Sequence, residues 1–250
     1  MKLERISAKV ATLAGWFLLA SVVLAQTEAQ FSKANQEYAD GKFKDAISDY
    51  EAIVHSGEWS ATLFYDLGNA YFRTSDFGRA ILNYERALAL QPNHPEAQAN
   101  LRIARDEARA LELPSGWAER FSRFITSNQS AVGAAVLFWA GLFLGVAFFF
   151  TAPRRRSLLT FSFCALFSAL FLVYFLMTLE QGPKGASLAV VTANDITARL
   201  ATADTAASVM ALPAGSEVKV SQQRGDWAYV DLPNNQRGWV PAKGIELVRM

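Results

Sequence analysis

The side chains suited to chemistry in this chain are few, and they are scattered. Its only two histidines, His55 and His94, lie far apart in sequence, each beside a turn signal. They read as solvated loop residues and not as a metal-ligand pair. The single cysteine, Cys164, falls inside an apolar run, which leaves no disulfide within one chain and no thiolate metal site. A Gly-rich phosphate loop, a nucleophile elbow and an HExxH are all missing. Asp66, Glu85 and Asp106 are carboxylates at positions where a helical surface carries solvated charge. No catalytic residue, cofactor or metal is expected, and the enzyme class is set aside. What the spacing does offer is binding chemistry. Amides and aromatics recur at helical period, tryptophans stand in strand-like runs, and three consecutive arginines, Arg154, Arg155 and Arg156, interrupt the most apolar part of the chain.

The surrounding apolar segments explain those arginines. Hydrophobic residues make up 52% of the 250 and charged ones only 19%, an excess that is concentrated rather than spread. A net charge of +1 argues against a nucleic-acid partner. Lys2, Arg5 and Lys9 precede an apolar run from Val10 to Leu24 that ends in small residues. Residues 1–25 thus have the pattern of a secretory signal peptide, with cleavage after Ala25 favoured over Ala29 and an uncleaved anchor as the alternative. Residues 130–152 and 157–179 carry no charge. As helices each runs ~34 Å, enough to cross a hydrocarbon core of ~30 Å. They lack the polar stripe of a buried soluble helix. Between them residues 153–156 form a tight turn whose arginines belong on the cytoplasmic side. Arg120, Arg123 and Lys184 on the far flanks make that bias modest, so the signal sequence sets the direction, with both large segments outside. Gly141 and Gly145 form a GxxxG, and Ala165 and Ala169 repeat small residues in the second span. Such positions let the two spans approach closely, or let Gly141 and Gly145 carry a homo-oligomer.

Residues 27–112 read as a helical repeat domain with a capping helix, and residues 27–94 show a period of 34. Within residues 61–94, Phe64, Leu67, Gly68 and Tyr71, then Ala80, Tyr84 and Ala87, then Pro92 recur at helical spacing. Gly68 and Ala80 let two helices close, the large residues fill the seam, and Pro92 ends the second helix. The pattern resembles the tetratricopeptide repeat, with Phe64 in place of its tryptophan. A first copy holds Ala34, Gly41, Ala46 and Tyr50 but departs at Lys33 and Ile53. A third half-repeat supplies a capping helix with Leu101 and Ile103 on its covered side. The resemblance implies a concave face that binds peptides or partner proteins, lined by Asn35, Tyr65, Asn69, Phe72 and Arg73. The alternative for Tyr65 and Phe72 is packing against the cap. Residues 113–129 follow as an amphipathic segment, with Trp117, Phe121, Phe124 and Ile125 opposite Glu119, Arg120 and Arg123, suited to lie in the lipid interface.

Residues 188–250 have the texture of a small all-β domain. Short runs rich in β-branched and aromatic residues alternate with turns at Pro213-Ala214-Gly215, Arg224-Gly225-Asp226 and Asn234-Asn235. The order Arg199, LPAGSEVKV, RGDWAYV, RGWVP resembles bacterial SH3-like domains. It implies a barrel whose aromatic groove binds peptides, peptidoglycan peptides among them, with Arg199, Tyr229 and Trp239 on the ligand face and Trp227 in the core. Over the whole chain the succession of parts resembles the BatE proteins of bacterial aerotolerance operons. That resemblance implies the bacterial inner membrane, both modules in the periplasm, and company with von Willebrand factor A membrane proteins and a MoxR-type ATPase system. The expectation is a multidomain protein: an α-helical tetratricopeptide repeat domain, a two-helix transmembrane hairpin and a small all-β SH3-like barrel, acting as a non-enzymatic scaffold. A peptidoglycan-binding tether or sensor is the alternative.

Overall fold

The computed structural model describes residues 28–122, 127–150, 156–182 and 184–249. The signal-peptide segment, Arg154, Arg155, Phe124 and Ile125 lie outside the described residues. The chain divides into two compact units, the first ending at Arg109 and the second beginning at Ala110.

The first unit is helical: α1 (residues 28–39), α2 (Phe43–His55), α3 (Ala61–Arg73), α4 (Phe77–Leu90) and α5 (Pro95–Ala108). Its helix starts are encoded locally. Ser60 Oγ accepts from the Leu63 N–H at 3.1 Å and Asp76 Oδ1 from the Arg79 N–H at 3.1 Å. Pro95 opens α5, where a missing N–H costs nothing. Helix exits follow the repeat period: Gly41, Ser75 and Arg109 take left-handed φ values of 78°, 63° and 51°. Two ring pairs recur in the same register, Tyr38–Phe43 at 5.3 Å and Phe72–Phe77 at 5.4 Å. So do two hydrogen bonds, from the Tyr50 hydroxyl to Asn35 Oδ1 at 2.6 Å and from the Tyr84 hydroxyl to Asn69 Oδ1 at 2.9 Å. The first copy, weak in sequence, is therefore a full repeat in its geometry.

Close approach fills the seam. A Cβ on Gly68 would lie 2.7 Å from the Tyr84 ring, so the glycine is what lets α3 and α4 meet. Phe64, Ile81, Leu82 and Tyr84 are buried there. The capping helix differs from expectation at one position. Ala97, Leu101 and Ala104 are covered, whereas Ile103 is 51% exposed. The spacing i, i+4, i+7 puts the first three on one stripe and turns Ile103 away from it.

The second unit contains α6 (Trp117–Ser122), α7 (Ser127–Phe150) and α8 (Arg156–Gln181). Its strands are β1 (Leu188–Val191), β2 (Ile196–Arg199), β3 (Ser208–Leu212), β4 (Glu217–Arg224), β5 (Trp227–Asp231), β6 (Arg237–Pro241) and β7 (Ile245–Leu247). Among the described residues, two helices are long and apolar enough to cross a membrane, with a mean hydropathy of 2.2 in both Asn128–Phe150 and Ser157–Gln181. They pack on each other through small residues. A Cβ on Gly141 would lie 2.8 Å from Leu166, one on Gly145 would lie 3.2 Å from Ser162 Oγ, and the Ser162 hydroxyl donates to the Gly141 carbonyl at 2.7 Å. Gly141 and Gly145 thus form the close contact between the two helices, the first of the two uses their spacing offered. Among the described residues of the expected interfacial segment, Trp117 on α6 lies against α8, 6.4 Å from Tyr174 with the rings 20° apart and 5.8 Å from Phe175.

The strands form one antiparallel sheet in the order β3-β2-β6-β5-β4-β1-β7. Gly215, Gly225 and Asn235 take φ values of 86°, 57° and 61° in the three turns read from sequence. Alternation sorts the side chains. Ala228, Val230 and Val240 point into a core shared with Val191, Leu212 and Val218. Trp227, Tyr229 and Trp239 take the opposite, half-buried face. Trp227 is consequently not a core residue, because two-residue periodicity ties it to Tyr229 rather than to Ala228.

Candidate partner-binding surfaces

The first surface is a cleft in the helical unit. Tyr38 from α1, Asn69, Phe72 and Arg73 from α3, and Asn100 and Ile103 from α5 line an open space of about 370 Å³. Of the residues expected there, Asn69, Phe72 and Arg73 line it. Arg73 is exposed, its guanidinium 4.7 Å from the centre of the Phe43 ring. Asn69 is half buried, and its Oδ1 accepts from both the Tyr84 hydroxyl and Asn100 Nδ2, the latter at 2.8 Å. The carboxamide is thus held by structure on its oxygen side, and its NH₂ is the half left to a ligand. Asn35 is tied to Tyr50 in the same way and is not among the residues lining the cleft. Tyr65 is not among the residues lining the cleft; its ring lies 4.9 Å from His94 and its hydroxyl accepts from Asn100 Nδ2 at 3.5 Å.

Tyr38, Tyr84, Asn100 and Ile103 join the cleft without a clear mark in the sequence. The repeat period contains the signal for one of them, since Tyr38 stands one repeat before Phe72. Asn100 and Ile103 come from the cap, where a half-repeat gives weaker register.

Three polar residues that read as solvated are not. His94 is the N-cap of α5, accepting from the Ala97 N–H at 3.3 Å, with only 15% of its side chain exposed. Glu85 is paired with Arg105, both largely buried. Burial raises the Asp66 carboxyl to a pKa of about 6, an effect that nearby His94 partly offsets. Asp106 is exposed, as is His55.

The second surface is the outer face of the β domain. Tyr229 and Trp239 sit opposite each other on β5 and β6, ring centres 5.0 Å apart, with Trp227 and Pro241 paired beside them. Arg199 pairs in register with Trp239, and its guanidinium donates to the Ala206 carbonyl at 3.0 Å. Arg199, Tyr229 and Trp239 are therefore brought together. The guanidinium is partly committed to holding its own loop.

A family model for the tetratricopeptide repeat matches residues 61–94, which are α3, α4 and the turn that follows. No curated protein matches the chain. Residues 61–94 are a tetratricopeptide repeat, a unit whose stacked helices present protein-binding surfaces, and the matched stretch holds the cleft residues Asn69, Phe72, Arg73 and Tyr84.

Proposed function

We propose that this protein is a non-enzymatic scaffold of the bacterial inner membrane that holds two binding modules in the periplasm. One observation carries the reading: a tetratricopeptide unit keeps an open cleft walled by aromatic rings, a free amide NH₂ and an exposed guanidinium. That combination suits a peptide segment, whose apolar side chains take the rings and whose backbone carbonyls or carboxylates take the donors. The β domain, read as SH3-like, offers a second and more aromatic face. Joining two weak sites on one chain raises the effective concentration of the second event.

The membrane assignment draws support from Phe149 and Phe150, 82% and 87% exposed, and from the broad apolar surface of which they are part. The partners proposed for the cleft are membrane proteins with large exported domains, those with von Willebrand factor A domains and a MoxR-type system among them, in an aerotolerance or envelope-stress assembly. A second reading is a peptidoglycan-binding tether, favoured by the outward placement of Trp227, Tyr229 and Trp239. In vivo photo-crosslinking from Arg73 and from Trp239 separates the two. A specific membrane protein trapped at Arg73 is the expected outcome. Muropeptides trapped at Trp239 with nothing at Arg73 would replace the scaffold by the tether.

A further inference from the structure

Glu217, the first residue of β4, has no exposed side-chain surface, yet it is a carboxylate. Such a group is tolerable in the interior only when charge and hydrogen bonds meet it there. Two of its partners come from distant places in the chain. Leu113, which precedes α6, donates its N–H to Glu217 Oε2 at 3.0 Å. Lys184, which follows α8, brings its ammonium to 3.0 Å from Glu217 Oε1 and to 3.6 Å from Glu112. Around this point residues 111–113 lie along the β domain like an added strand. The Leu111 N–H donates to Ser216 Oγ at 3.2 Å, and the Glu217 N–H donates to the Leu111 carbonyl at 2.8 Å. Leu111 packs against the β core, and Leu113 is only 4% exposed. A further tie joins Arg249 to Glu180 at the end of α8, at 2.7 Å.

We propose that Glu217 is a latch that couples folding of the β domain to insertion of the α7–α8 hairpin. The strap at residues 111–113 lies before the hairpin and Lys184 lies after it, so both reach Glu217 only when the two ends of the hairpin emerge on one face of the membrane. A hairpin with one helix inserted leaves strap and β domain on opposite faces. Glu217 then lacks the Leu113 N–H, and the core surface beneath Leu111 is open to water. The β domain is in this sense discontinuous, and its missing piece is delivered by correct topology. This inference rests on the membrane-spanning reading of α7 and α8.

The test uses the full chain in inverted and right-side-out membrane vesicles, with protease digestion of the β domain as readout. Alkaline carbonate extraction comes first: a protein that leaves the membrane sinks the spanning reading itself. For the retained protein, Glu217→Gln, Leu113→Pro and Leu111→Ala are each expected to speed cleavage of the β domain by about tenfold or more, since each removes part of a buried pair or its cover. A chain with Leu166→Arg and Leu170→Arg, which blocks insertion of α8, is expected to lose protection of the β domain completely. Unchanged protection in all three latch variants overturns the latch while leaving the spans intact. Full protection of the β domain in the insertion-blocked chain overturns the coupling.

Discussion

Asp66 holds its proton to about pH 6 because burial penalises its charge more than His94 relieves it. The folded value lies above the unfolded one, so folding takes up a proton between about pH 4 and 6. Stability of the helical unit therefore falls as pH rises through that window and stays lower above it. Allowing for partial solvent screening, the penalty at neutral pH is about 1–2 kcal/mol. Asp66→Asn is expected to stabilise α3 by that amount at pH 7.5, with the gap closing below pH 4, as read by amide hydrogen exchange in the full chain. A gap that persists at pH 3.5 would place its origin elsewhere than in the carboxylate charge. Tyr84 makes the contrasting case. Its hydroxyl is a structural donor to Asn69, so Tyr84→Phe should cost about 1 kcal/mol of stability. Arg73→Glu touches an exposed side chain and should leave stability within about 0.5 kcal/mol. Capture of a partner, scored by crosslinking from Phe72, should be lost in Arg73→Glu and only weakened in Tyr84→Phe, where Asn100 still holds the Asn69 carboxamide.

At the scale of elements, the contact between α7 and α8 is narrow enough to be trapped. Gly145 and Ser162 face each other so closely that a Cβ on the glycine would lie 3.2 Å from the serine oxygen. In a Cys164→Ser background, Gly145→Cys with Ser162→Cys is expected to form an intrachain disulfide on mild oxidation, giving a monomer on non-reducing gels. A ladder of dimers instead would return these glycines to an oligomer interface. The sequence was legible wherever one residue type carried one geometric demand. Gly68, Ala80 and Pro92 declared the repeat, and the Gly225 and Asn235 turns declared the β4–β5 and β5–β6 hairpins. It was less legible where a second chain segment decided the outcome. Trp227 looked like core because tryptophans so often are, yet its face is set by register with Pro241. Ile103 looked covered because it is apolar, while the stripe of Ala97, Leu101 and Ala104 had already claimed the buried side. Nothing local marks Glu217 as buried, since the strap that covers it lies on the other side of the hairpin in sequence. His94 carried a readable cue, for Pro95 follows it directly and makes it an N-cap position.

For the molecule as a whole, the geometry of Glu217 bears on sidedness without using the arginine count. A carboxylate that meets both Leu113 and Lys184 requires the chain before α7 and the chain after α8 to share a face. On the spanning reading proposed above, the helical unit, continuous with the first of these at Ala110, is expected on the same face. The direction, periplasm against cytoplasm, rests on the signal-peptide pattern and on the turn between the spans. Single cysteines in a Cys164→Ser background separate these two levels of the argument. Lys44→Cys in α2 and Asn234→Cys in the β5–β6 turn occupy exposed positions. In intact cells with a permeable outer membrane, both are expected to react with an impermeant maleimide, and Arg155→Cys only after the inner membrane is opened. The reverse pattern, with Arg155→Cys alone reactive, would invert the protein and keep the latch. Labelling of Lys44→Cys and Asn234→Cys from opposite faces would do more damage. No hairpin could then bring Leu113 and Lys184 to one carboxylate, and both the latch and the single-faced scaffold would fall together.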